Sequence, residues 1–287
     1  LGRGCQFKCR FCSYPLIGKK PGTYIRDYNL IEEEILRNYD DYGTTKYYFL
    51  DDTVNESETK VQALADIAQS LPFRLEWVGY NRLDLIWSKP SMIQTLKDSG
   101  LRSAYFGIES FHPKASMAVG KGWNGKHGKD FLLKLKEKWG TDISYYLSFI
   151  VGLPGEDKNS IEETHKWCVD NEVYDWNFHP LTIFEYKMWK SEFELNYEKY
   201  GYSRLSSTSW KNDLWTQGQA YRYAQELTRR RIDSYATYPT TWYLAFLSSL
   251  GYSFDELMKT KMSDLNITEQ NERRDLMVRN YVTHQLK

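Results

Sequence analysis

The sequence lacks several features that would mark particular classes of protein. Its 38 basic and 38 acidic side chains cancel, so we do not favour a nucleic-acid partner, because nonspecific nucleic-acid binding depends on a basic surface. No apolar run approaches the ~20 residues of a membrane-spanning helix, and no secretory leader opens the chain. We therefore expect no membrane segment in this chain.

Cysteine is scarce, and its placement is uneven. Only four cysteines occur in 287 residues, and three of them, Cys5, Cys9 and Cys12, stand close together. A disulfide framework would be even in number and spread along the chain, whereas this group is odd and clustered. The group therefore predicts a metal site in a reducing compartment, and we expect a cytoplasmic protein.

Up to about residue 182, segments of strand and helix character alternate at intervals of about 30 to 40 residues, which is the spacing of βα units. This rhythm predicts an α/β fold with a parallel sheet or (β/α) barrel. The predicted strands are 46–50, 75–81, 102–108, 143–151 and 175–181. The predicted helices are 28–39, 58–71, 91–99, 129–139 and 160–171.

The rhythm ends near residue 183, and the rest of the chain is rich in Tyr and Trp with helical character. We predict a core domain at residues 1–183 and a helical C-terminal extension at 184–287, packed on the barrel. The chain begins at Leu1 without an initiator Met, directly before the cysteine group. A strand must lead into the cysteine loop, so we expect the first barrel strand to lie before Leu1.

Polar residues follow the predicted strands at the same end. Asp51, Asp52, Arg82, Glu109 and Glu156 each stand just after a strand. Active sites of parallel α/β folds gather at the carboxyl ends of the strands. The sequence therefore predicts an active site that combines these residues with the cysteine loop.

Simpler interpretations stand beside this one. The two aspartates could cap the helix that follows them, and Arg82 could form a surface ion pair with Asp84. The Gly- and Lys-rich segment 119–129 lacks a phosphate-binding motif and is interpreted as a surface or substrate loop. Of the five scattered histidines, His179 is the one we would mutate first, because it stands near the end of the last strand.

The spacing Cys5-x3-Cys9-x2-Cys12 suits three irons of a 4Fe-4S cluster, with the fourth iron open. Electron-transfer clusters use four cysteines, and structural zinc also takes four closed ligands. Cys168, on the predicted helix 160–171, would be the fourth ligand in either case. The alternatives are therefore an iron-sulfur electron-transfer module and a zinc-binding structural module, each with Cys168 as fourth ligand.

The segment 4–12 resembles the CxxxCxΦC loop of radical S-adenosylmethionine (SAM) enzymes, with Phe11 at the aromatic position. The wider sequence is similar to the branch that contains methylthiotransferases and cobalamin-dependent radical SAM enzymes. The motifs that carry this similarity are Arg3-Gly4-Cys5, Phe49-Leu50-Asp51-Asp52-Thr53, Arg82, Gly107-Ile108-Glu109-Ser110 and Gly152-Leu153-Pro154-Gly155-Glu156. The last departs from the GxIxGxxE pattern of the family, because Ser148 replaces the first Gly and Glu156 comes one residue late.

The resemblance covers about residues 1–182 and implies the partial (β/α)6 barrel of that superfamily without its first strand. It implies that the three cysteines hold a 4Fe-4S cluster and that SAM is cleaved to a 5′-deoxyadenosyl radical, which abstracts hydrogen from an unknown substrate. By the same resemblance, Phe11 flanks the adenine, Asp51 and Asp52 hold the methionine amino group, Arg82 and Glu109 contact the carboxylate and ribose, and Ile150 and Gly152 border the adenine.

The resemblance also implies partners. An electron donor such as flavodoxin or ferredoxin would reduce the cluster, and the substrate would be a small molecule or a peptide. The extension lacks the basic β-domain of tRNA methylthiotransferases, which again disfavours nucleic acid. This segment shows no cobalamin motif, so any cobalamin domain would lie in sequence before it.

Overall fold

A sheet of five parallel strands forms the centre of the computed structural model, in the order β1-β2-β3-β4-β5. The structure describes residues 1–13, 24–121, 125–183, 190–234 and 238–285. The strands are β1 (Lys46–Phe49), β2 (Glu76–Asn81), β3 (Leu101–Glu109), β4 (Ser144–Val151) and β5 (Asp175–Pro180). All five predicted strands and the parallel α/β architecture are thereby confirmed.

Helices connect the strands, and the five predicted ones are present. They are α1 (Tyr28–Tyr42), α2 (Glu58–Ser70), α4 (Met92–Asp98), α6 (Gly125–Trp139) and α7 (Lys158–Asp170). Two helices were missed, α3 (Leu83–Ser88) and α5 (Pro113–Val119). Each is only about two turns long, too short to show a helical period in the sequence.

Local capping defines where these helices begin and end. The Asp27 side chain accepts a hydrogen bond from the Asn29 amide at the start of α1, and Gly43 ends that helix with a left-handed φ of 67°. Ser57 caps α2 by accepting from the Lys60 amide. The helix after β1 is therefore not capped by Asp51 or Asp52, and that interpretation is wrong.

The sheet buries one face against the surrounding helices. Trp77, Ala104, Phe106 and Leu147 are fully buried on this face, and the Trp77 indole nitrogen donates to the Ser99 carbonyl at 2.8 Å. Strand residues alternate between the two faces, so their neighbours in sequence point to the other side, toward the interior of the partial barrel.

The extension is mainly helical, as predicted, but it also contains an antiparallel hairpin. The hairpin strands are β6 (Ser203–Ser206) and β7 (Ser209–Lys211), which are too short to give a strand pattern in the sequence. The helices are α8 (Glu192–Leu195), α9 (Gln217–Ser234), α10 (Thr241–Ser249), α11 (Phe254–Leu257) and α12 (Ile267–Gln285), with 3-10 turns at Tyr197–Tyr200 and Met262–Asp264.

Two helices of the extension pack on the sheet. On α9, Arg231 donates to the Asp175 carboxylate of β5 at 2.5 Å and to the Trp176 carbonyl at 2.7 Å. On α10, Leu244 and Leu247 pack with Val78 of β2, on the face opposite Trp77. The extension therefore covers part of the barrel interior.

The domain boundary predicted near residue 183 adjoins residues 184–189, which lie outside the described residues. Trp210 and Leu227 of the extension belong to the same apolar cluster as Trp77 of the sheet. Side chains from both sides of that boundary thus share one core. No helix within the described ranges has the length and apolar character needed to cross a bilayer.

A buried lysine joins the end of β1 to α2. Lys60 is 2% exposed, and its ammonium group donates to Asp51 at 2.7 Å, to Glu56 at 2.9 Å and to the Thr53 carbonyl at 3.3 Å. The buried Lys60 ammonium group therefore pairs with two buried carboxylates and holds the turn between β1 and α2.

Replacing this lysine should destabilise the fold strongly. Lys60→Met keeps most of the side-chain volume but leaves both carboxylates without their cation, and we expect a loss of about 3–5 kcal/mol in the free energy of unfolding. Urea denaturation at neutral pH measures it. Lys166→Met is the matched control, because Lys166 is 74% exposed in its pair with Asp170, and it should change stability by less than about 1 kcal/mol. Equal effects of the two variants would contradict this account of Lys60.

Candidate active site

The cysteine loop lies across the carboxyl ends of the strands and is fixed by backbone hydrogen bonds on both sides. The Arg10 amide donates to the Val119 carbonyl at the end of α5 at 2.9 Å, and the Arg10 carbonyl accepts from the Phe193 amide of α8 at 2.8 Å. Within the loop, the Cys12 amide donates to the Cys9 carbonyl at 3.0 Å. The extension thus helps to hold the loop in place.

The three thiols of this loop open onto one cavity of about 180 Å³. The cavity is lined by Cys5, Cys9, Phe11, Cys12, Asp52, Thr53, Tyr80, Asn81, Arg82, Tyr105, Gly107, Glu109 and Lys121. The structure thereby brings together all the predicted site residues except Asp51, Ile150, Gly152 and Glu156. As expected for a parallel sheet, the strand ends converge on the cysteine loop.

The adjacent carboxylates Asp51 and Asp52 have different surroundings. Asp51 is 5% exposed and is paired with Lys60. Asp52 faces the cavity. Burial raises the pKa of the Asp52 carboxyl, the charge of Asp51 raises it further, and a backbone hydrogen bond from Gly4 opposes both. Only Asp52 is therefore placed to meet a ligand.

Arg82 is committed to a cysteine and an aspartate. Its guanidinium donates to the Cys9 sulfur at 3.1 Å and to both Asp84 oxygens at 3.1 and 2.6 Å, and it lies 4.1 Å from the centroid of the Phe7 ring. The predicted ion pair with Asp84 exists, but it is not a surface pair, since Arg82 is only 9% exposed. Burial opposes the charge, yet Asp84 and Cys9 leave the pKa of Arg82 raised.

A lysine that the sequence analysis did not single out pairs with Glu109. The Lys121 ammonium donates to Glu109 at 2.6 Å and to the Gly107 carbonyl at 2.5 Å, and both charged side chains are under 10% exposed. Gly107 makes room for this pair, because a Cβ there would lie 2.9 Å from the lysine nitrogen. Glu109 itself has a φ of 68°, in the left-handed region.

Lys121 stands in the Gly- and Lys-rich segment that we interpreted as a surface or substrate loop. Residues 122–124 of that segment lie outside the described residues, but Lys121 faces the cavity. Lys121 comes shortly after α5, the short helix that follows Glu109. The sequence could have indicated its place in the site only if α5 had been predicted.

Glu156 lies beneath the site and not in it. It is 2% exposed; Ser110 donates to one of its carboxyl oxygens at 2.6 Å, and the other is buried with no hydrogen-bond partner among the residues that the structure describes. Burial raises the pKa of Glu156 to about 8, with a smaller opposing effect from Ser110. Since Ser110 directly follows Glu109, this buried acid supports the Glu109 turn.

The two residues predicted to border adenine do not line the cavity. Ile150 is 8% exposed within the apolar core. Gly152 has a φ of 104° and lies under Trp210, where a Cβ would come within 2.5 Å of the indole ring. The Gly152 carbonyl accepts from the Tyr202 hydroxyl at 2.8 Å. In this arrangement Gly152 supports packing between β4 and the extension, and Ile150 is part of the apolar core.

Cys168 does not complete a four-cysteine site. It lies on α7 within the apolar core with no exposed area, and burial raises the pKa of its thiol well above the ordinary value. The electron-transfer and zinc alternatives that used Cys168 as a ligand are therefore wrong. In the part of the chain that the structure describes, no three His, Cys, Asp or Glu side chains are grouped around a single ion position.

The donor set fits an open iron-sulfur cluster. Three thiols border one cavity, and each is free of disulfide bonds. Arg82 lies beside Cys9, and the Thr53 hydroxyl lies 3.6 Å from the Cys5 sulfur. A cubane cluster binds each cysteine through a different iron, so the thiols need not converge on one ion. The remaining cavity walls include the polar side chains of Asp52, Glu109 and Lys121.

Comparison with known proteins agrees with this geometry. The family model of the Radical SAM superfamily matches residues 1–168. An uncharacterized methyltransferase from Pyrococcus horikoshii is 32% identical over 175 residues, which cover 58% of this chain and 35% of that protein. The anaerobic magnesium-protoporphyrin IX monomethyl ester cyclase of Cereibacter sphaeroides is 23% identical over 209 residues, 70% of this chain and 33% of that protein. The chain thus spans about a third of the length of these relatives.

Solved structures show the same fold at low identity. Coproporphyrinogen III oxidase from Escherichia coli superposes with a TM-score of 0.54 at 13% identity, covering 83% of this chain and 52% of that chain. The methyltransferase TsrM from Kitasatospora setae, with tryptophan and a SAM analogue bound, gives a TM-score of 0.53 at 18% identity, covering 70% of this chain and 38% of that chain. These similarities confirm the predicted partial barrel.

The raised pKa of Glu156 should make stability depend on pH. The folded chain keeps this carboxyl protonated between pH 4.5, its ordinary pKa, and about 8, whereas the unfolded chain releases the proton. The free energy of unfolding therefore falls as pH rises through that window. Since each pKa unit corresponds to about 1.4 kcal/mol, the total fall from this group is a few kcal/mol.

Glu156→Gln keeps an acceptor for Ser110 without a titrating proton, so the stability advantage of this variant over the parent should grow from pH 5 to pH 8. Chemical denaturation across that range measures the difference. Glu163→Gln, at an exposed position of α7, is the control and should show no such trend. A pH-independent difference for Glu156→Gln would contradict a buried, protonated Glu156.

Proposed function

We propose, since the chain belongs to the radical SAM superfamily, that Cys5, Cys9 and Cys12 hold a 4Fe-4S cluster whose open iron binds SAM. When bound and reduced, this cluster would supply the electron for cleavage of SAM to a 5′-deoxyadenosyl radical, which would take hydrogen from the substrate. The observation that carries this proposal is the opening of all three thiols onto one cavity with the polar strand ends. Cys168 lies apart from them in the core.

Asp52 is our candidate for binding the SAM amino group. Its carboxylate faces the cavity, while the neighbouring Asp51 is occupied by Lys60. In this proposal Asp51 affects the site indirectly, because its pair with Lys60 holds the turn between β1 and α2. A cation placed beside Asp52 would relieve the repulsion from Asp51, which favours an ammonium ligand.

Lys121 and Glu109 are our candidates for the carboxylate and ribose ends of SAM. Lys121 is a cationic side chain on the cavity wall and, unlike Arg82, does not donate a hydrogen bond to Cys9. Its ammonium nitrogen lies 5.8 Å from the centroid of the Phe11 ring. Its ammonium group suits a carboxylate as a point charge, and Glu109 is an acceptor for hydroxyl groups. Phe11 keeps its proposed place beside the adenine.

Arg82 serves the cluster in this proposal, since its donors already point at Cys9 and Asp84. A positive charge and a hydrogen bond on a thiolate ligand favour the more negative, reduced form of the cluster. This differs from the role at the SAM carboxylate that the family resemblance implied.

We extend the proposal to the overall reaction and to the partners of the protein. The 32% identical relative is named a methyltransferase, and we propose that this chain belongs to an enzyme that transfers a one-carbon group, with any cobalamin held by sequence outside this segment. Residues 1–183 would form its catalytic core and 184–287 its extension. A flavodoxin or ferredoxin would supply the electron, and reduced thiols suit the cytoplasm.

The cluster assignment can be tested by SAM cleavage. After anaerobic reconstitution and reduction with dithionite, the chain should release 5′-deoxyadenosine, measured by liquid chromatography. Cys9→Ala should abolish release, because an iron loses its ligand. Cys168→Ala removes a buried thiol outside the site and should retain release. No cleavage by a chain that carries an intact, reduced cluster would overturn the proposal.

The role of Arg82 is distinguished by the cluster potential. Arg82→Gln should shift the midpoint potential of the reconstituted cluster to more negative values, by about 59 mV for each tenfold loss in the reduction equilibrium, with little change in SAM affinity. An anaerobic redox titration followed by electron paramagnetic resonance measures the shift. Arg230→Gln, which breaks a pair with Glu162 on the outer helices, is the control. Weaker SAM binding at an unchanged potential would instead assign Arg82 to SAM.

A further inference from the structure

We propose that the interior face of the sheet beside the cysteine cavity binds an uncharged, planar aromatic ring of the substrate, whose polar edge is held by Tyr146 and His179. This inference rests on the proposed function, because it names the substrate class of the same site. Its experiment is a binding measurement that needs no SAM cleavage.

A row of four tyrosines crosses the interior face, one from each of four adjacent strands: Tyr48, Tyr80, Tyr105 and Tyr146. The ring centroids of neighbouring tyrosines lie 6.1 Å apart for Tyr48 and Tyr80, 4.7 Å for Tyr80 and Tyr105, and 4.8 Å for Tyr105 and Tyr146. These spacings are those of interacting aromatic pairs. The row is therefore a continuous aromatic surface across β1 to β4.

This surface opens onto free space. Tyr105 and Tyr146 are partly exposed, although their neighbours in the same strands have no exposed area. A strand in the middle of a parallel sheet is normally buried on both faces. The interior face is thus packed at the amino ends of the strands, where α10 covers it and Tyr48 packs against the same apolar cluster, and it is partly exposed at Tyr105 and Tyr146.

The open region joins the cysteine cavity at one end and a histidine at the other. Tyr80 and Tyr105 line the cavity together with the three cysteines. At the opposite end, the Tyr146 hydroxyl lies 3.3 Å from the Nε2 atom of His179, which is exposed at the carboxyl end of β5. A ring lying on Tyr105 would reach both ends.

The surface carries no net charge at neutral pH. Burial raises the pKa of Tyr105 to about 12 and raises that of Tyr146 as well. Burial also lowers the pKa of His179, although the charge of Glu109 opposes this effect. The phenols and the imidazole are therefore neutral donors and acceptors.

The nearby formal charges are already paired: Lys121 with Glu109, and Arg231 with Asp175. Since the Lys121–Glu109 pair is assigned to SAM and Arg231 is held by Asp175, a charged substrate ring would lose hydration without gaining a free counter-ion from these pairs. A neutral ring would extend the row of stacked and edge-on tyrosines and could hydrogen bond at its rim. The surface therefore favours a flat, uncharged ring that carries a donor or acceptor.

Three probes of similar size separate these properties: 2-naphthol is flat and neutral, decahydro-2-naphthol is neutral and saturated, and 2-naphthoate is flat and charged. Binding to the full chain, with reconstituted cluster and SAM, is measured by equilibrium dialysis under anaerobic conditions. We expect saturable 1:1 binding of 2-naphthol, at least tenfold tighter than binding of either other probe.

Variants locate the binding surface. Tyr105→Leu removes a ring from the row and should weaken 2-naphthol binding at least tenfold, whereas Tyr105→Phe keeps the ring and should retain most of it. His179→Gln, at an exposed position, tests the polar edge and should weaken binding severalfold without affecting the fold. Tyr42→Leu, 73% exposed on α1, is the control and should bind as the parent does.

The inference is overturned if 2-naphthol does not bind, if the saturated or charged probe binds equally well, or if neither Tyr105→Leu nor His179→Gln weakens binding. Circular dichroism of each variant shows whether it is folded, and the exposed His179 position keeps the test valid if Tyr105→Leu is not. Failure of the proposed function has a different signature, which is absence of 5′-deoxyadenosine release whatever the probe does.

Discussion

The parallel direction of the five strands is the constraint on which the site depends. Because every strand ends at the same edge of the sheet, the chain brings Asp52, Arg82 and Glu109 to one cavity although they are far apart in sequence. The cysteine loop lies over this edge and is tied to α5 and α8 by the amide and carbonyl of Arg10. The three cysteines and the cavity walls therefore share one rigid frame.

Much of this could be predicted because the strands are apolar runs with polar ends, a pattern visible without any tertiary contact. The choice between two adjacent aspartates could not. Alternation places Asp51 and Asp52 on opposite sides, but which side faces the cavity depends on Lys60, nine residues later on α2. A lysine in a helix usually indicates a solvent-exposed face, so its burial was hidden in the sequence.

The other missed features depend on contacts through space. Lys121 reaches Glu109 only because α5 folds back and because Gly107 has no side chain to block it. Gly152 was expected beside the adenine of SAM, yet Trp210 of the hairpin covers it. No sequence pattern in either segment predicts that contact. Sequence motifs thus identified the edge of the sheet where the site lies, whereas packing decided which side chains reach the cavity.

The extension divides the barrel interior into a closed and an open part. The apolar face of α10 covers the interior at the level of Val78, and α9 is held against β5 by the Arg231–Asp175 pair. Tyr80, Tyr105 and Tyr146 remain partly exposed between them, and the first two line the cavity with the cysteines. The packing of these two helices therefore sets how much of the interior face beside the cysteine cavity stays exposed.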